Sequence, residues 1–463
     1  MKVTLVYPGI AGKGFDSLGQ GMDSGWISHG LAILAPCARQ TGAEVDLLDL
    51  RALRGWDHYH QELLARRPDV VGVSMMSVDY NPAHRCLEIA RLALPEAITV
   101  LGGAHPTVML DELKDDPLVD HIFIGEAEIT FPEFLVRQQG GESSRHVISS
   151  IHPDLDSIPF ADHEFFLHEW RKWGYNLDSP EAPFAAELPP PFVTIISGRG
   201  CMYNCSYCQP AERIIFGRKV RRRGVPNVMA ELHNLRERYR FNSFMLHDDC
   251  LTEDSDWVIQ FCQAYHAAGF TQPFFCQSRA DIIVKKEGMV RMMYQAGLRG
   301  YLIGFESGSD RVLRFIRKGT TRQQNLEAAR ICKKYGISIW ANYMLGLPTE
   351  TKEEVLKTIS MLKQVDPDYY SPAFFTPHPG SDLYAYCMEH DLSLIRSHDD
   401  YSRNPDGAKI SGVDYEWLQW ALRESQQRTV SNRLKRQTRQ FVKRYAQPTK
   451  LVRKLGQILS VGG

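Results

Sequence analysis

The sequence reads as an α/β chain: a doubly wound parallel sheet, then a partial six-stranded β/α barrel, then a helical C-terminal tail. Three observations predict this. Residues 1–140 alternate short apolar runs with helical stretches. The same rhythm returns at Phe192 and continues for six strands. At the end of the first strand of that second series, three cysteines fall in one loop, at Cys201, Cys205 and Cys208.

The chain has 463 residues, a length that accommodates two or three domains. Hydrophobic residues make up 43% and charged residues 24%, ordinary values for a globular protein, and the net charge of −1 offers nucleic acid no electrostatic footprint. No apolar run of roughly 18 residues appears, so no membrane span is expected. The first residues, Met1-Lys2-Val3-Thr4-Leu5-Val6-Tyr7, pattern as a strand and not as a signal peptide. With no export signal, the ten cysteines are expected as free thiols in a reducing cytoplasm.

In the first unit, strands are expected at 3–7, 45–50, 70–76, 98–101 and 121–124, with a helix opening at Leu31 and closing at Thr41-Gly42. The 70–76 run is apolar almost throughout, as parallel strands covered on both faces tend to be. Ligands of such sheets bind beyond the carboxyl ends of the strands. Those ends carry Gly9-Ile10-Ala11-Gly12, Ser74-Met75-Met76-Ser77, Gly102-Gly103-Ala104-His105 and Gly125-Glu126-Ala127-Glu128. The glycines permit close backbone approach to a bulky ligand. No GxGxxG follows the first strand, so this is not a dinucleotide fingerprint.

Residues 141–190 read as a linker. Gly140-Gly141 and Ser143-Ser144 open it, and Pro189-Pro190-Pro191 gives a stiff approach to the barrel. Trp170, Trp173 and Tyr175 within it are expected either to clasp the two units or to line an entrance.

The barrel, residues 191–385, has expected strands at 192–196, 244–247, 274–276, 301–304, 337–340 and 369–371. Its expected helices lie at 225–239, 255–268, 287–296, 322–335 and 352–365. Chemistry in such barrels sits at the carboxyl ends of the strands. There the chain places His247-Asp248-Asp249, Gln277-Ser278-Arg279, Gly304-Phe305-Glu306-Ser307-Gly308, Asn342-Tyr343-Met344 and Thr376-Pro377-His378. The basic run at 218–223 lacks interleaved aromatic residues and is expected as a solvated or domain-contacting face.

The spacing Cys201-x-x-x-Cys205-x-x-Cys208 lets three thiolates grip one compact metal centre. A structural zinc site wants four protein ligands, and a ferredoxin-type cluster four thiolates. Three thiolates leave one metal position open to a small molecule. Three buried free cysteines, or zinc, are the competing readings; no nearby His or Cys completes a zinc set.

This motif, with Tyr207 just before the last cysteine, resembles the radical S-adenosylmethionine (SAM) superfamily. The resemblance implies a [4Fe-4S] cluster on Cys201, Cys205 and Cys208, with SAM on its open iron as the source of a 5′-deoxyadenosyl radical. It further implies SAM contacts from Tyr207, Asp248, Asp249, Arg279, Glu306 and Ser307, and an electron donor such as flavodoxin or ferredoxin. Gly102-Gly103-x-His105-Pro106-Thr107 and Gly125-Glu126-x-Glu128 resemble the Rossmann-like cobalamin-binding domain that precedes many radical SAM barrels. Implied cobalamin contacts are Gly12, Ser74, Gly102, Gly103, His105, Gly125 and Glu126. One departure stands out: the loop Gly9 to Asp16 lacks the histidine that ligates cobalt in many such domains.

The implied activity is cobalamin-dependent methyl transfer to an unactivated carbon of a small-molecule or lipid substrate. The alternative is a radical rearrangement, cyclisation, dehydration or epimerisation, with Cys250, Cys276, Tyr301 or Tyr343 as conceivable hydrogen donors. Transfer-RNA methylthiolation is disfavoured, since the first third carries only Cys37 and Cys86. Residues 386–463 are expected to be helical. Their basic end, from Arg428 to Lys454, either packs a helix on the barrel or contacts an anionic membrane surface peripherally.

Overall fold

The computed structural model of the protein describes residues 1–20, 25–142, 146–176, 184–208 and 212–428. The basic end expected at a membrane surface therefore lies outside the described residues beyond Arg428.

The first sheet is parallel throughout. It comprises β1 (Lys2–Tyr7), β2 (Glu44–Asp49), β3 (Val70–Ser74), β4 (Ile98–Gly102), β5 (His121–Ile124) and β6 (Val147–Ser149), ordered β2-β1-β3-β4-β5-β6. Alternate residues serve opposite cores. Val3, Leu5, Val70 and Val100 face one helical layer; Val6, Leu48, Val71 and Leu101 face the other. Burial on both faces is what makes the strand segments read as continuous apolar runs.

The segment read as a linker belongs largely to this unit. Its three residues 147–149 form the sixth strand, too short to show a period. Its helix His163–Lys172 buries Phe166 and Trp170 against the sheet. Trp170 is fully buried and its indole donates to Asp49 Oδ2 at 2.8 Å, while Trp173 donates to Glu169 Oε1 at 2.8 Å. These aromatic residues close one side of the first domain, and so neither clasp nor entrance describes them.

The second sheet curls into a half-barrel of six parallel strands. They are β7 (Phe192–Ile195), then, after a short antiparallel ribbon of β8 (Gly198–Arg199) and β9 (Arg221–Arg222), β10 (Ser243–Leu246), β11 (Phe274–Ser278), β12 (Leu298–Glu306), β13 (Ser338–Leu345) and β14 (Tyr369–Phe374). Intervening helices include Val225–Tyr239, Ser255–Ala267, Glu287–Ala296, Arg322–Tyr335 and Lys352–Val365, close to the expected bounds. Val193, Phe244, Cys276, Ile303 and Ile339 point outward into the helices. Their neighbours Met245, Phe275 and Trp340 turn inward, where Phe184 and Leu188 plug the lumen and Trp26 packs against them.

The helix Tyr415–Gln426 lies along Lys352–Val365 and buries Leu418 and Ala421 in the barrel's outer core. Gly346 has φ +76°, which favours glycine, and a Cβ there would come within 2.8 Å of Leu418 Cδ2. No helix among the described residues is long and apolar enough to cross a membrane.

The two units meet on two histidines, one half-buried and one buried. His29 Nε2 lies 2.5 Å from Thr194 Oγ1 on β7, and His163 Nε2 lies 3.2 Å from Thr194 O. Burial pushes the pKa of both rings down, so both are held neutral. A base whose folded pKa lies below its unfolded value of about 6.5 costs stability when it must be protonated. The stability these neutral rings provide is complete above that pH and is lost as the pH falls below it. Urea midpoints should therefore drop between pH 7 and pH 5, and His29→Gln should flatten that slope.

Removing the Leu418 side chain tests the C-terminal lock. Leu418→Ala should cost about 2–5 kcal/mol in denaturant titrations, as for other fully buried leucines.

Candidate active site

The three cysteines lie in the loop that joins the strands of the small ribbon. At its base, Gly200 has φ +90°, and a Cβ there would stand 3.3 Å from Lys219 O. Glycine is therefore needed one residue before Cys201. The loop is held to the barrel by its own backbone: Ser206 N donates to Ile316 O at 3.0 Å, and Ser206 O accepts from Leu383 N at 2.8 Å.

The basic run now has an account. Arg222 donates to Cys250 O and Leu251 O and pairs with Glu253, while Arg223 donates to Ile196 O and pairs with Glu231. Arg221 pairs with Glu126 of the first domain. Only Arg218 and Lys219 project into solvent. The run is structural and domain-contacting.

Cys201, Cys205 and Cys208 are half-buried free thiols in this one loop. Burial pushes the Cys201 thiol up to about 11 and raises Cys208 too. Thiolates at such a place need compensating positive charge, which metal ions supply. The chain adds some of its own. Arg279 Nη1 lies 3.9 Å from Cys205 Sγ, its guanidinium stacked 3.6 Å from the centre of the Tyr203 ring. The donor set and its electrostatics fit a three-thiolate cluster.

Around the loop, the structure gathers some of the expected SAM residues and not others. Glu306 sits at the end of β12 in the left-handed region, φ +59°. That is strained backbone of the kind found at functional positions. Its carboxylate pairs with buried Lys318, Nζ to Oε1 at 3.0 Å, and the same Nζ donates to Tyr207 OH at 3.1 Å. Burial would lower the Lys318 pKa, but the Glu306 carboxylate raises it. Gly304 makes room for this pair, since a Cβ there would lie 2.7 Å from Lys318 Nζ. Lys318 is thus a buried member of the site.

Asp248 and Ser307 sit elsewhere. Asp248 is buried beneath the loop base, accepting from Ser197 Oγ at 2.8 Å and Ser197 N at 3.3 Å, and burial pushes it up to about 6. Ser307 is fully buried behind β12, its Oγ 3.3 Å from Thr358 Oγ1 and accepting from Ser309 N. Asp249 is exposed at the rim, and its charge acts on Cys201 and Cys208. Arg279 pairs with Asp281 at 3.0 Å and donates to Lys318 O at 2.6 Å, which commits most of its donors to the protein itself. Of the conceivable hydrogen donors, Cys276, Tyr301 and Tyr343 lie in the outer, helix-facing core, while buried Cys250 lies in the turn after β10, where Cys201 and Arg279 act on its thiol.

Two of the strand-end residues, given no cofactor role from the sequence, line the lumen. Gln277 and Asn342 alternate with outward-facing neighbours, are half-buried, and find no side-chain partner among the described residues. Strand parity alone places them inward, but nothing in the sequence says that they lack partners.

At the carboxyl edge of the first sheet, the expected cobalamin residues divide. Gly12 and Gly14, φ +75° and +78°, have open space around them, the nearest atom being Asn404 Nδ2 at 4.0 Å from a Cβ on Gly12. Half-buried Ser74 ends β3 nearby. No protein atom crowds the backbone of this rim at Gly14, and only Asn404 comes near it at Gly12. Gly103 is instead closed upon the protein: a Cβ would meet Met75 O at 2.7 Å, and Met75 N donates to Gly102 O at 2.8 Å. Gly125 is closed likewise on Ser150 Oγ, 2.5 Å from such a Cβ. Glu126 is buried and pairs with His152, Arg199 and Arg221. His105 is fully buried, its Nδ1 3.0 Å from Ser77 Oγ, and burial lowers it to about 4.

Arg199 also pairs with Glu128 at 2.6 Å. A single guanidinium two residues before Cys201 is thus gripped by both acids at the end of β5. The three-cysteine loop and the carboxyl edge of the first sheet are held as neighbours.

Residues 23–135 match the family model of the B12 binding domain, and residues 195–362 that of the radical SAM superfamily. This chain is a radical SAM protein with a B12-binding domain. The family's cofactors are SAM, a [4Fe-4S] cluster and cobalamin. An uncharacterized methyltransferase of Pyrococcus horikoshii is 26% identical over 367 residues, covering 77% of this chain and 78% of that protein. The anaerobic magnesium-protoporphyrin IX monomethyl ester cyclase of Rubrivivax gelatinosus is 26% identical over 404 residues, covering 83% and 69%. Among solved structures, the radical SAM methyltransferase TsrM from Kitasatospora setae, with cobalamin and a [4Fe-4S] cluster bound, superposes with TM-score 0.66 at 16% identity, covering 92% of this chain and 90% of that one. The cobalamin-dependent radical SAM enzyme OxsB gives TM-score 0.62 at 18% identity, and the match spans 84% of this chain but only 55% of that one. At these identities the two structures establish a shared fold.

For this radical SAM protein, Glu306→Ala should leave Lys318 buried without its counter-charge. We expect SAM affinity, followed by equilibrium binding to the reconstituted protein, to fall at least about tenfold, while the iron–sulfur absorption persists. Such a loss is on the order of one charge-assisted hydrogen bond. Unchanged affinity would remove Glu306 from the SAM site.

Proposed function

We propose that the protein is a cobalamin-dependent radical SAM methyltransferase acting on an unactivated carbon of a small-molecule or lipid substrate. The observation that carries the reading is the Arg199 bridge to Glu126 and Glu128, which holds the three-cysteine loop against the carboxyl edge of the B12-type domain. When bound, the three cofactors supply electron transfer, hydrogen abstraction and the methyl group.

The chain's own residues bind, orient and exclude water. Cys201, Cys205 and Cys208 would hold the cluster, with the cationic Arg279 beside Cys205. Tyr207, Glu306 and Lys318 form a connected polar wall, and Gln277 and Asn342 offer amides without a side-chain partner among the described residues. The aromatic plug of Phe184, Phe275 and Trp340 closes the far end and keeps water from entering there. The open rim at Gly12, Gly14 and Ser74 would receive cobalamin. A low-potential flavodoxin or ferredoxin would deliver the electron.

The resemblance to a cyclase over 83% of the chain favours one second reading, a radical transformation without methyl transfer. Anaerobic reconstitution with iron, sulfide and cobalamin, followed by SAM carrying a deuterated methyl group, separates the two. Methyl transfer predicts a retained corrinoid and a methylated product that bears the label. A retained cluster with SAM cleavage but no labelled product would favour the second reading. Replacing Cys201, Cys205 and Cys208 with Ala should abolish SAM cleavage, and persistent cleavage would overturn both.

A further inference from the structure

His105, expected at the cobalamin site, has its imidazole Nε2 buried without a hydrogen-bond partner. That nitrogen points at Glu112 Oε2, 3.3 Å away but misaligned for a hydrogen bond. From the far C-terminal region, His398 brings its Nε2 to 3.3 Å from the same oxygen. One ligand atom from each of the three residues lies within 4.8 Å of the others.

These separations have a chemical meaning. Zinc binds His nitrogen and carboxylate oxygen at about 2.0–2.2 Å, so two ligands of a tetrahedral ion stand about 3.3–3.5 Å apart. Ligands in adjacent positions of an octahedral ion at about 2.1 Å would stand about 3.0 Å apart. Both edges that meet at Glu112 Oε2 have the tetrahedral length. The third, between the two imidazole nitrogens, lies within 4.8 Å. The supporting contacts are those a metal ligand needs: His105 Nδ1 is engaged by Ser77 Oγ, which leaves Nε2 for the site, and His398 stacks on Tyr80 with ring centres 3.7 Å apart.

We propose that His105, Glu112 and His398 form a zinc site, separate from the cysteine loop, with water as fourth ligand. It ties the turn His398–Tyr401 to the B12-type domain, at a contact otherwise made by the Tyr80 stack and by Asn81 Nδ2 donating to Ser397 Oγ at 3.2 Å. The ion would fasten the C-terminal region across the end of the first sheet.

The test uses the full chain with Cys201→Ala, Cys205→Ala and Cys208→Ala, so that the cluster-loop thiols cannot take the metal. After stripping with chelator, titration with Zn²⁺ and desalting, about one zinc per chain should remain. X-ray absorption at the zinc edge should show only nitrogen and oxygen neighbours, two of them imidazoles. His398→Ala and Glu112→Gln in the same background should weaken zinc binding by more than the roughly 10–100-fold that follows loss of an outer-shell partner. Zinc should also raise the melting temperature of the parent and not that of either variant. Failure of the parent to retain zinc, sulfur in its coordination shell, or equal affinity in the variants would overturn the proposal. The absorption measurement needs no substitution within the site, so a misfolded variant leaves it decisive.

Discussion

The structure turns on one buried charge cluster. Arg199 enters from the base of the cysteine loop and is held by Glu126 and Glu128 from the end of β5, with Arg221 sharing Glu126. All four side chains are largely withdrawn from water. Removing one partner from such a network leaves a buried charge uncompensated, which typically costs about 3–5 kcal/mol. The network is therefore a strong constraint on how the two sheets face each other. It acts one step from Gly200, where the backbone turns into the loop. The glutamates that resemble a cofactor-binding motif thus work by holding the loop that carries the metal ligands.

A second constraint lies across the barrel mouth. Glu306, in strained backbone, Lys318 and Tyr207 form a connected chain that reaches from the end of β12 to the cysteine loop. Arg279 runs a parallel line from Asp281 past Lys318 O to Cys205. Both lines are largely buried and tie the loop to the barrel mouth. Preorganisation of this kind is the protein's main contribution when cofactors carry the chemistry. Gly304 is part of the same design, because any side chain there would displace the ion pair.

The β/α rhythm, both sheets and most helices of the barrel were legible in the sequence, because parallel strands covered on both faces are written as apolar runs and the helices as amphipathic ones. What escaped was short or non-local. β6 has three residues and no period. The helix His163–Lys172 gives no sign of which unit it will cover. Ser307 follows Glu306 in a motif, yet the chain turns through left-handed backbone at Glu306, and the two side chains part, one to Lys318 and the other to Thr358. Asp248 and Asp249 part as well, in the turn after β10, one beneath the loop base and one at its rim.

By itself the sequence determined the fold class, the three-thiolate spacing and the family resemblance, since each is carried by local order along the chain. The tertiary structure alone decided which motif residues face the site. It paired Glu126 with Arg199 and His105 with Ser77, closed Gly103 onto Met75, and drew Lys318 into the interior. It also brought His398 to Glu112 across 286 residues of chain. Spacing along a sequence encodes periodicity and short loops, but the partner of a buried charge is chosen by packing between segments that the sequence keeps far apart.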